Sequence, residues 1–259
     1  MEKIVTKGQL LFAIAIAAFG IQNLVFTRLG LAVRGVPWFP ENHLLGYLAG
    51  LALLAAGISL AANKKAQLTA ILLGILFLLL VLFTQISKVA AGALDIGIRT
   101  VAFETLAMAG SALTLAGILR SNGDRSCGSG NFLDGLIASG PYLFAVSSVV
   151  FGVDHFLILG FIASLIPAWI PAPLFWAYFT GAVFVAVGLS IAIRWMDRWA
   201  AFLLGVMFLL WFLLLHAPRV MSAPRSHDPN EWSSAFIALA MCGGSWICAW
   251  HAQQRQSAK

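Results

Sequence analysis

Apolar residues run along this chain in eight long blocks separated by short polar breaks. The blocks are Leu10–Phe26, Leu44–Ala62, Leu68–Phe83, Val101–Leu119, Leu136–Leu159, Leu174–Ile193, Ala200–Leu215 and Ala235–Trp250. A bilayer core is crossed by about 17 to 25 apolar residues in a helix. The blocks lie at or near that length, and the pattern predicts eight transmembrane helices. The first block follows Lys3 and Lys7 as the apolar core of a signal peptide would. No A-x-A cleavage motif intervenes before Arg28, so it is expected to be a retained span.

The pattern repeats. "WFPENHLLGYLAGLALLAAGI" (38–58) lies over "WIPAPLFWAYFTGAVFVAVGL" (169–189), at an offset of 131 residues. Trp38 then meets Trp169, Pro40 meets Pro171, Tyr47 meets Tyr178, Gly50 meets Gly181 and Gly57 meets Gly188. At the same offset "LLGILFLLLVLFTQISKV" (72–89) lies over "LLGVMFLLWFLLLHAPRV" (203–220). "FETLAMAG" (103–110) matches "FIALAMCG" (236–243), and "FGIQN" (19–23) matches "FGVDH" (151–155). The polar stretch "RSNGDRSCGSGN" (120–131) divides the copies.

The fold expected is therefore all-α and membrane-integral: two tandem four-helix bundles. The first repeat covers 1–119, a linker 120–134, and the second repeat 135–259. With four spans per unit both copies enter the membrane in the same direction, so the repeat is parallel and not inverted. Small residues four apart mark close helix contacts in lipid, where apolar burial drives little association. They occur at Gly46/Gly50, Ala177/Gly181, Ala107/Ser111 and Ala240/Gly244.

Composition agrees. The 259 residues are 61% hydrophobic and 10% charged, against about 25% charged in soluble domains. The net charge of +6 comes from basic residues scattered at the ends of apolar blocks. That is the pattern of membrane topology and not of a nucleic-acid surface. Ten Lys and Arg fall on the side of the two termini and six on the other, which predicts cytoplasmic termini in a plasma membrane. Trp195 and Trp199 near one interface, and Trp38, Trp169 and Trp232 near the other, suit aromatic belts.

Known chemical motifs are few. Cys127, Cys242 and Cys248 form no C-x-x-C pair. There is no Walker loop, dinucleotide fingerprint or H-E-x-x-H.

"FGVDHF" closing a first span, "IPAWIPAPLFWAYFTGAVFVAVGL" leading into a second, and "LLHAPR" closing a third together resemble the DoxX-like family of four-helix membrane proteins. The second half resembles it over nearly its whole length, the first half through the internal repeat. The resemblance implies a component of a membrane redox system, with a quinone or another small ligand and a membrane or periplasmic redox protein as partner. A non-catalytic scaffold and a small-solute transporter are the alternatives, and whether the chain is an enzyme stays open.

Polar groups at membrane depth are costly and mark candidate sites. Asp154 and His155 end one span, His216 and Arg219 end another, and the orientation puts all four near the same face. Arg219 is expected to pair with Asp154, His155 to approach His216, and Pro218 to stop its helix. Asp154 and His155 would handle protons, His216 would bond a carbonyl-like oxygen, and Arg219 would stabilise negative charge. The first half offers Gln22, Asn23, Gln85 and Lys88 at matching positions, and adds Glu104, with Lys88 or Arg99 as its expected partner. His155, His216 and His227, with Asp154 or Asp228, also form a metal-ligand set for zinc or copper, and two histidines on separate spans suit haem.

Overall fold

The structure, a computed structural model, describes residues 3, 7–26, 43–85, 95–120, 132–222 and 229–258, without the side chains at 43, 45, 84, 85, 222, 229 and 230. These residues form helices and turns, and none of them is in a β-strand. The helices are α1 (Gly8–Phe26), α2 (His43–Ala61), α3 (Ala66–Leu80), α4 (Ile96–Leu119) and α5 (Phe132–Leu157). They continue as α6 (Leu159–Leu165), α7 (Pro173–Ile193), α8 (Asp197–Trp211), α9 (Ala217–Ser222) and α10 (Pro229–Ser257). A π-helical turn, Val81–Gln85, extends α3, and another, Phe212–His216, joins α8 to α9.

Among the described residues seven helices are long and apolar enough to cross a membrane, while α2 falls short over Gly46–Ala61. Large apolar side chains such as Leu51, Ile58, Leu72, Phe179, Leu189 and Leu203 are exposed. Water does not tolerate so much apolar surface, whereas lipid does. The chain is a multi-pass helical membrane protein.

The helices close into one body. α4 and α10 pack against each other at its centre, α4 also against α3 and α5, and α10 against α1 and α8. Burial reflects this: within the most apolar 18 residues of each span, 78% are inside for Glu231–Ser257 and 61% for Ile96–Leu119, against 22% for Asp197–Met221. The sequence reading places four helices in each of two bundles. In the structure the first helix of each half packs closely on the last helix of the other, α1 on α10 and α5 on α4. Small residues permit the approach. A Cβ on Gly243 would stand 2.5 Å from the Phe12 nitrogen, and one on Gly110 would stand 2.7 Å from that of Phe144.

Two similar tight turns join α2 to α3 and α7 to α8. Asn63 and Lys65 in one, and Arg194 and Met196 in the other, take left-handed backbone with φ of 52°, 53°, 58° and 52°. That conformation is unfavourable without glycine. Each turn is held by a serine hydroxyl on a carbonyl, Ser59 to Lys64 at 2.6 Å and Ser190 to Trp195.

Several boundaries differ from those expected. Helix α4 begins at Ile96, well before Val101, with the Asp95 carboxylate accepting from the Gly97 nitrogen as an N-cap. Helix α5 takes in the last residues assigned to the linker, and Arg120 bonds Asp134 at 2.5 Å across it. Pro218 does not stop its helix. The preceding π turn resets the register, with Ala217 N bonding the Phe212 carbonyl, so Pro218 falls in a first turn where its missing N–H costs little.

Candidate functional site

The expected site lies where α5, α7 and α8 meet at the end of the molecule away from the α4–α5 linker. Asp154 and His155 are buried there in the last turn of α5. Adjacent helical residues point about 100° apart, and these two face different neighbours. Asp154 turns to α4 and pairs with Arg99, while Thr100 Oγ1 donates to its second oxygen at 3.4 Å. The expected Arg219–Asp154 pair does not form. Arg219 Nη2 donates instead to the Leu165 carbonyl at 2.8 Å, one of the unsatisfied acceptors at the end of α6.

His155 turns into an aromatic cage. Its ring stacks on Trp211 at 5.9 Å and leans on Phe184 at 5.1 Å, and Phe151 and Phe208 pack behind Phe184. Nδ1 lies 2.7 Å from the Phe151 carbonyl. A carbonyl only accepts, so Nδ1 carries the hydrogen and the neutral ring presents a bare lone pair at Nε2. That nitrogen is buried without a partner among the described residues, as is Nδ1 of His216. No ring contact or hydrogen bond joins His155 to His216 among the described residues; one face of the His155 ring is stacked on Trp211.

The first-half candidates sit at the corresponding end. Gln22 donates to Ser233 Oγ of α10 at 2.6 Å. Asn23 is buried at 2% exposure and its Oδ1 has no partner among the described residues. Gln85 closes the first π turn, but its side chain lies outside the described residues, as do Lys88, His227 and Asp228. Glu104 is half-buried on α4, one turn beyond Thr100, and forms no ion pair among the described residues; its expected partner Arg99 is taken by Asp154. No group of three or more His, Cys, Asp or Glu among the described residues is placed to hold a metal ion.

Three participants escaped the sequence reading. Arg99 was read as a partner for Glu104 and not for Asp154, and its block was read as starting after it. Trp211 looked like one more apolar residue of a span. The third is a cluster at the opposite end, where buried Asp197 at the start of α8 pairs with Arg255 of α10. Its other oxygen accepts from the Arg198 nitrogen at 3.1 Å and from Gln256 at 3.3 Å. No family model matches the chain, and no characterised protein and no solved structure matches it.

Proposed function

We propose that the chain is a DoxX-like membrane protein, duplicated from a four-helix unit, whose second half binds a quinone-type ligand for a membrane redox system. The observation that carries the reading is the unpartnered Nε2 of His155 inside its aromatic cage. An unpaired buried acceptor costs about 1–3 kcal/mol, and a ligand hydroxyl in that place would remove the cost. With Nδ1 engaged, Nε2 accepts, so the better ligand is the reduced, hydroxyl-bearing quinol, and His155 takes up its proton. His216 supplies a second contact, and the Arg99–Asp154 pair fixes the end of α5 and with it the His155 ring.

Duplication is supported by features that recur at the spacing of the sequence repeat. These are the two π turns, the two serine-held turns, and the polar links Gln22–Ser233 and Asp154–Thr100 between a first helix and the other half's last. An eighth span at α2, cytoplasmic termini, a plasma-membrane location and a redox partner protein belong to the same proposal, supported by the charge bias and the resemblance.

The test is titration of purified protein in nanodiscs with a soluble ubiquinol analogue, followed by Trp fluorescence. Saturable binding is expected in the parent and a loss of at least about tenfold in His155→Phe, which keeps the cage filled. Binding by His155→Phe and His216→Ala that equals the parent's overturns the proposal.

A further inference from the structure

A small cleft of about 30 Å³ opens at the linker end, between the ends of α5, α7, α8 and α10. Ala138, Pro141 and Ile191 supply its apolar lining. Its charged lining is Arg194, Arg255 and Asp197, with His251 beside them. Arg255 is committed to the Asp197 carboxylate. Arg194 is not: it is exposed, its guanidinium lies 5.6 Å from the centre of the Tyr142 ring, and it has no carboxylate partner among the described residues. Arg198, beside Asp197, stacks over Trp199 at 6.0 Å, and its Nε is buried without a partner among the described residues. Two arginines thus line the cleft and a third stands beside it, against one carboxylate that is already bonded.

We propose that this cleft binds the phosphate of an anionic phospholipid. The excess positive charge calls for an anion, and guanidinium groups match phosphate oxygens in pairs. The level is that of headgroups, since Trp195 and Trp199 are exposed beside it, at 66% and 50%, as interfacial tryptophans are. Apolar residues exposed beside the cleft select a lipid over a free anion, because an acyl chain can lie along Ala138, Ile193 and Trp195 while the phosphate meets Arg194. Basic pockets between spans are a recurring form of lipid site. In the matching turn of the first half, Asn63 stands where Arg194 stands here.

The test is native mass spectrometry of the full chain in detergent, with dioleoylphosphatidylglycerol or dioleoylphosphatidylcholine added at equal concentration. One phosphatidylglycerol is expected to be retained, in preference to phosphatidylcholine. Arg194→Asn, which suits the left-handed backbone and copies Asn63, is expected to lower retention about fivefold. Arg219→Gln, at the other end, is expected to leave it unchanged. Equal retention of both lipids, or full retention by Arg194→Asn at an unchanged melting temperature, overturns the proposal. Displacement of phosphatidylglycerol by millimolar sodium phosphate would overturn the lipid assignment in favour of a free-phosphate site.

Discussion

Arg99 and Asp154 form an ion pair that ties α4 of the first half to α5 of the second. Asp154 is 5% exposed and Arg99 32%, so the carboxylate depends on its partner far more than the guanidinium does. The pair and the central α4–α10 contact make the halves mechanically one.

Breaking that pair exposes the asymmetry. Arg99→Gln strands a buried carboxylate and is expected to cost about 1–3 kcal/mol, below the figure for fully buried pairs because Arg99 is partly solvated. Asp154→Asn is expected to cost less, since the amide still accepts from Thr100. The double variant should be more stable than Arg99→Gln alone. Thermal unfolding in detergent measures all three, and equal losses for the two single variants would contradict the assignment.

Glycine packing gives a paired prediction. A Cβ on Gly188 would lie 2.6 Å from the Ala145 carbonyl oxygen, whereas one on Gly160 meets nothing within 4 Å. Gly188→Ala should destabilise by about 1–3 kcal/mol through forced separation of α5 and α7. Gly160→Ala should be neutral or stabilise by up to about 1 kcal/mol. Melting temperatures decide between these signs.

His155 is held at a cost in stability. His155→Phe fills the cage and removes an unpaired nitrogen, so the variant is expected to melt higher, by about 1–3 kcal/mol of stability, while losing quinol binding. A lower melting temperature would mean that the imidazole is itself a structural support.

Cys242 and Cys248 are buried in α10 at 0% and 3% exposure. Neither is expected to react with a membrane-permeant maleimide until the protein is denatured. Mass spectrometry of labelled peptides checks this, and fast labelling of either one in the native protein would show that α10 is not central.

The apolar blocks marked the helices well because hydrocarbon imposes one requirement on all of them, and the same length of apolar chain answers it each time. Block ends were read less well. Arg99 belongs inside α4 because a carboxylate across the helix interface accepts its charge, and no property of residues 96–100 alone announces that partner. Pro218 stays helical because of a π turn one step upstream. Of the candidate site, the spacing of charges put Asp154, His155, His216 and Arg219 toward one face, but which groups touch was not legible in it. Depth follows from position along a helix, whereas contact depends on rotation about its axis.

The sequence by itself determined that this chain lives in lipid, where its helices run, and where its internal likeness lies, because each follows from local composition and spacing. Only the tertiary structure decided that α1 packs on α10 and α5 on α4, that Asp154 answers to Arg99, and that His155 keeps a bare nitrogen among aromatic rings. In lipid, pairing is set by where small residues let backbones approach and by which buried polar groups find each other, and both are properties of helices already assembled.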